Sequence, residues 1–172
     1  MAGVVTGVVM VALDRGGGVD TAPARRPVVP SRLDIPSLGV KAPLMKLGVT
    51  DGQIELPPFE KPNTAGWVKE SAVPGDPGSA VILGHVDTRT DPAVFYRLKQ
   101  MRAGQAIKVT RSDGKVVQYR VDSIEQVSKD RFPADKVYLE DGLRLITCGG
   151  NFDWDKHEYH DNVIVYATLV KT

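Results

Sequence analysis

The chain has 172 residues, 42% of them hydrophobic and 25% charged, with a formal net charge of +1. That balance belongs to a globular domain with one sizeable core, and it lacks the basic field that nucleic-acid binding requires. Seventeen glycines and twelve prolines imply many turns, which favours an all-β architecture over a helical one.

The first element differs from everything after it. Ala2–Leu13, AGVVTGVVMVAL, is a run of apolar or small residues, shorter than the roughly 20 that a membrane-spanning helix needs. It reads either as a disordered tail or, our expectation, as the remnant of an N-terminal membrane anchor over residues 1–13, continued upstream by further apolar residues. Residues 14–31, rich in Gly, Ala, Pro and Arg, cannot bury a core and predict a flexible linker. The folded domain is expected over residues 32–172.

From Arg32 the texture is strand and turn. RLDIPSLGVKAPLM puts Leu33 and Ile35 on one face, breaks at Pro36, and resumes with Val40 and Leu44. VTDGQIEL carries the Asp51-Gly52 signal of a hairpin. A turn-rich stretch over Pro74–Gly78 leads into AVILGH, Ala80 to His85, an apolar run of the kind that forms a buried strand. DPAVFYRLKQMRAG is the one helix predicted: Asp91 as N-cap, Pro92 in the first turn, Gly104 as the stop, and Phe95, Leu98 and Met101 as the buried stripe. QAIKVTR and KVVQYRVDSIEQVS form a long hairpin about Ser112-Asp113-Gly114. LRLITC and NVIVYATLV are the last strands, with a loop over 149–161 between them. About eight strands and one or two short helices predict a mainly β protein, a closed eight-stranded barrel.

Chemistry concentrates at two strand ends. Cys148, the only cysteine, closes LRLITC; His85, one of three histidines, closes AVILGH. Each has a plain structural reading, a buried thiol and a satisfied core histidine. Together they are the types that a nucleophile and its proton partner require, since the thiolate attacks and an adjacent imidazolium holds it ionised. His157 and His160 lie in the polar stretch DWDKHEYHDN and read as surface residues. The chain has no CxxC or HExxH pair for a metal and no GxxxxGK or GxGxxG for a phosphate, so no cofactor is expected.

The segments VILGHVDT, LRLITCGG and DNVIVYATLV together resemble a sortase, and RLDIPSLGVKAPL with PGDPGSAVILGHVD resembles the actinobacterial class E and F branches, class F more closely. The resemblance runs from Arg32 to the end. It implies an eight-stranded β-barrel and a membrane-tethered transpeptidase on the outer face of a Gram-positive cell. Such an enzyme cleaves a C-terminal sorting signal of the LPxTG type between Thr and Gly. It holds the acyl group as a thioester and passes it to an amine such as a cell-wall peptide. Nucleophile and proton partner map onto Cys148 and His85. The family's arginine has no counterpart before the last strand, where Asn162 stands instead. Two residues become candidates for stabilising substrate or oxyanion: Asn162 through its amide, and Arg144, which strand alternation places on the face of Cys148. The glycines after Cys148 are expected to leave room for a substrate backbone. The rival readings are a catalytically silent peptide-binding barrel and a cysteine endopeptidase that only hydrolyses.

Overall fold

The computed structural model describes residues 23–172. The expected anchor, and the linker as far as residue 22, lie outside them. In chain order the strands are β1 (Pro30–Ile35), β2 (Val40–Leu47), β3 (Val49–Thr50), β4 (Gln53–Ile54), β5 (Ala65–Val68), β6 (Ser79–Leu83), β7 (Ala106–Arg111), β8 (Val116–Ser128), β9 (Gly142–Asp153) and β10 (Glu158–Leu169). Among the described residues a single α-helix, α1 (Ala134–Tyr138), joins three short 3-10 turns. Eight strands close a barrel in the order β1-β2-β5-β6-β9-β10-β8-β7, while β3 and β4 form a separate hairpin.

Local chemistry explains the turns. Asp51 (φ 51°) and Gly52 (φ 75°) both take the left-handed conformation that a tight two-residue hairpin requires, which connects β3 to β4 as expected. Pro36 ends β1 in a 3-10 turn, and Gly39 (φ 64°) closes it. The domain begins slightly before the expected Arg32. Val29 packs on the core, its N–H donates to Ser112 Oγ (3.0 Å), and its carbonyl accepts the Ser112 N–H (2.8 Å).

Alternation sorts the strands between two cores. Leu33, Ile35, Ile82, Ile107, Val109, Leu143, Leu145 and Val165 fill the barrel. Leu47, Val81, Leu83, Ile146, Ile164 and Tyr166 point outward and are covered by Val137 of α1. β6 is therefore buried on both faces, which accounts for its unbroken apolar sequence.

The predicted helix over 91–104 does not form. The Ala93 and Phe95 N–H groups donate to the Val86 and His85 carbonyls, and Val94 N–H donates to Pro62 O. With those amides engaged elsewhere, only i to i−3 bonds remain, and Leu98–Gln100 is a 3-10 turn. The stripe is nonetheless correct: Phe95, Leu98 and Met101 are all buried, and a spacing of three suits three residues per turn.

Arg144 is the one buried cation of the outer core among the described residues, 3% exposed. Its guanidinium donates five hydrogen bonds, to the carbonyls of Lys136, Glu140, Asp141 and Leu143, and lies 5.0 Å from the Tyr166 ring. It ties the end of α1 to β9 by satisfying carbonyls that the helix leaves open. Arg144→Ala strands those acceptors, an expected loss of about 2–3 kcal/mol, or a melting temperature lower by roughly 5–10 °C. Arg144→Lys recovers less than half, because one ammonium cannot span the fork. Thermal melting checks both, and an unchanged midpoint in Arg144→Ala would mean that the carbonyls are satisfied by another route.

Candidate active site

β6 and β9 run parallel with Leu83 opposite Ile146, and the Gly84 N–H donates to Ile146 O at 3.1 Å. His85 and Cys148 each lie two residues beyond that last pair, Cys148 still within β9 and His85 in the segment that follows β6. Alternation along β9 puts Cys148 on the face of Ile146. On the other flank Cys148 pairs with Asn162 of β10. The fold thus sets Asn162 against Cys148 and brings the end of β6, two residues before His85, alongside the same stretch of β9. Gly84 helps hold the arrangement: a Cβ there would lie 2.6 Å from the Phe95 ring, whose backbone N–H already donates to His85 O (3.0 Å).

Two expectations about the thiol's setting are corrected. Cys148 is not at a strand's end, because β9 continues to Asp153 and pairs with β10 as far as Glu158. The loop expected over 149–161 shrinks to a turn at residues 154–157. The glycines serve this ladder. A Cβ on Gly149 would meet Val163 Cγ2 at 2.7 Å, and Gly150 (φ 74°) takes a left-handed conformation in which a Cβ would strike the Asp161 carboxylate. Both glycines also line the cavity that opens at Cys148. His157 and His160 are exposed, as expected.

Arg144 is the residue the structure does not bring in. It shares the face of Cys148, as alternation predicts, but sits four residues up β9, about 13 Å along the strand. Its donors are all committed to the carbonyls around α1. Asn162 is beside the thiol, half-buried, with Nδ2 donating to Thr147 O at 3.3 Å.

The electrostatics also differ from expectation. Cys148 is half-buried, and burial pushes its thiol above the ordinary value. The Lys129 charge pulls it down, while Asp87 and Glu158 push it further up. The imidazole is engaged elsewhere: His85 Nε2–H donates to Pro57 O (2.5 Å), and the Phe59 ring stacks on it at 4.2 Å with planes 19° apart. The segment Pro57–Phe59 therefore covers His85.

A cavity of about 500 Å³ opens at Cys148, lined also by Asp87, Gln126, Thr147 and Tyr159. Tyr159 Oη–H donates to Asp87 Oδ2 at 2.5 Å; burial and this carboxylate push the phenol up to about 12. Thr147 Oγ1 is buried without a hydrogen-bond partner. Among the described residues no three His, Cys, Asp or Glu side chains converge on a metal position. In the sequence Asp87 and Thr147 stand in the GHVD and LITC segments that carry the resemblance, with no role assigned to either, and Tyr159 and Pro57–Phe59 carry no signal. The one legible signal was Thr147, a hydroxyl that alternation turns toward the barrel interior.

Because burial penalises the thiolate, Cys148 in this state is protonated at neutral pH and gains reactivity only as pH rises. Its alkylation rate is expected to climb with a midpoint above the ordinary thiol value of about 8.5. Stopped-flow iodoacetamide kinetics across pH checks this; a midpoint below 8 would mean that a cation reaches the sulfur. Phe59→Ala removes a stack of about 1 kcal/mol and frees the imidazole, so peptide cleavage should accelerate by roughly two- to tenfold. Unchanged cleavage kinetics would show that the cover opens without resistance.

The sortase-domain family model matches residues 33–170. Among solved structures the fold is similar to sortase C-1 from Actinomyces oris, with 23% identity and a TM-score of 0.64 over 83% of this chain and 74% of that one. It is likewise similar to the lid mutant of sortase A from Corynebacterium diphtheriae, with 22% identity, a TM-score of 0.65, and 87% and 75% covered. Sortase C from Streptococcus pneumoniae gives 22% identity and a TM-score of 0.62 over 82% and 66%. At such identities these neighbours establish a shared fold. No curated protein sequence matches the chain. With the family model spanning both His85 and Cys148, the chain belongs to the sortase family of cysteine transpeptidases.

Proposed function

We propose that Cys148 is the nucleophile and His85 its proton partner. The observation that supports this is the parallel β6–β9 ladder, whose last pair, Leu83 and Ile146, lies two residues before His85 and Cys148. The sulfur adds to the scissile carbonyl of an LPxTG-type signal, between Thr and Gly, and the tetrahedral adduct collapses to a thioester. The imidazolium protonates the departing amine. An acceptor amine, of the kind a cell-wall peptide carries, then displaces the sulfur. Asn162, the register partner of Cys148 on β10, offers its amide N–H to the developing oxyanion in place of the family's arginine. The class F assignment rests on RLDIPSLGV and PGDPGSAVILGHVD, and the outward-facing, membrane-anchored location on the family together with residues 1–13.

Binding has to precede chemistry here. A sorting signal must displace Pro57–Phe59 to reach the imidazole, and by excluding water it brings the thiol and the imidazole into one low-dielectric site. A rival reading, a barrel that binds peptides without turning them over, draws on the covered imidazole and the protonated thiol.

The test is cleavage of LPxTG-type peptides, with intact-mass detection of the acyl-enzyme. Cys148→Ala should abolish both, and His85→Ala should lower kcat/KM by roughly a thousandfold or more, since the pair acts as a unit. Asn162→Ala should cost about tenfold to a hundredfold in kcat. If no peptide from a sorting-signal library ever acylates the wild type, the silent-barrel reading stands and this one falls.

A further inference from the structure

The cavity beside Cys148 holds a second recognition element that the cleavage step does not use. Asp87 is the only carboxylate among its lining side chains, and Lys99, exposed, the only cation. Tyr159 fixes Asp87 by donating to Oδ2, which leaves Oδ1 without a hydrogen bond among the described residues. The two come from distant parts of the chain, the segment after β6 and the outer end of β10, and meet only in the folded barrel. A second polar group points to a ligand in the same space: Thr147, 4% exposed, lines the cavity with a hydroxyl that has no partner. A buried unpaired hydroxyl is unfavourable unless something completes its hydrogen bonding. The cavity's volume, about 500 Å³, accommodates a peptide end.

Resting on the transpeptidase reading above, we infer that Asp87, oriented by Tyr159, is the specificity residue for the acceptor: it binds the incoming primary amine as its ammonium ion, next to the thioester at Cys148. Amine acceptors are mostly cationic near pH 7 and water is neutral, so a fixed carboxylate favours aminolysis over hydrolysis. The step balances. The ammonium gives one proton to Asp87, which passes it to solvent. The freed nitrogen forms a bond to the thioester carbonyl, the C–S bond breaks, and the Cys148 thiolate leaves. The second proton lost by nitrogen returns to that sulfur through His85, and one N–H remains in the new amide.

The experiment measures how a common acyl-enzyme divides between transfer and hydrolysis at pH 7, with triglycine as acceptor, in the wild type, Asp87→Asn and Tyr159→Phe. The ratio is internal to each protein, so any change that Asp87→Asn makes in acylation cancels. Asp87→Asn is expected to lower the transfer-to-hydrolysis ratio by about tenfold to a hundredfold, mainly through the acceptor's KM, and Tyr159→Phe by a smaller factor. Hydroxylamine, uncharged at this pH, should show no such loss. A purely structural role for Asp87 would depress both nucleophiles alike and would overturn the inference, as would an unchanged triglycine ratio. Asp87→Glu, which keeps the charge, should recover part of the ratio. Absence of any acyl-enzyme in the wild type would instead remove the transpeptidase reading and this inference with it; acylation with an unaltered ratio removes this inference alone.

Discussion

The parallel pairing of β6 with β9 is the constraint on which the rest depends. Parallel neighbours cannot be joined by a tight turn, so the chain between them makes a long excursion through β7, β8 and α1 before returning. Such a pair is stable only when both faces are covered. Here the barrel interior covers one, and α1 with Tyr166 covers the other. The apolar residues of VILG and LRLI are thus required twice over, for the two cores and for the register. Slipping that register by one residue would turn every side chain of β6 to the wrong face. Burial on this scale disfavours a slip, and the same register sets side by side the strand segments that lead into His85 and Cys148.

The site so delivered rests in an unreactive state. Desolvation holds the thiol protonated, two carboxylates add to that, and the imidazole is capped by a carbonyl and a stacked ring. Each of these is a local contact that a bound peptide can replace, whereas the register beneath them cannot shift. The division is a physical one: the strands carry the positions of the reacting groups, and a loop and the solvent carry their ionisation.

Much of this was readable before the structure. Strand patterns were legible because buried strands leave either alternation or unbroken apolar runs, and Cys148 and His85 stood out because each terminates such a run. The helix expected over 91–104 failed because His85, Val86 and Pro62 offer carbonyls to its amides, a competition invisible in local sequence. α1, with five residues, is too short to show a period. The outer ends of β9 and β10 read as a loop because their aromatics, Phe152, Trp154 and Tyr159, are scattered among charged residues and glycines and pack on one another only once the ribbon has formed. Arg144 illustrates a subtler limit. Alternation gave its face correctly, but said nothing of its distance along the strand or of the carbonyls that α1 leaves open beside it. Asp87 and Tyr159 could not be paired from sequence, since only closure of the barrel brings them within a hydrogen bond.

Closure itself rests on a short segment at the start of the domain. β1 has two antiparallel neighbours, β2 and β7, and is held at its first residues by the Val29–Ser112 bonds. If proteolysis trims the chain into β1, the ring becomes an open sheet with two bare edges, β2 on one side and β7 on the other. Unpaired edges of this kind template association with other chains, and the inner core, exposed along the gap, adds an adhesive apolar surface. Damage at a point far in sequence from the thiol would then surface as aggregation, with the strands that carry His85 and Cys148 still paired.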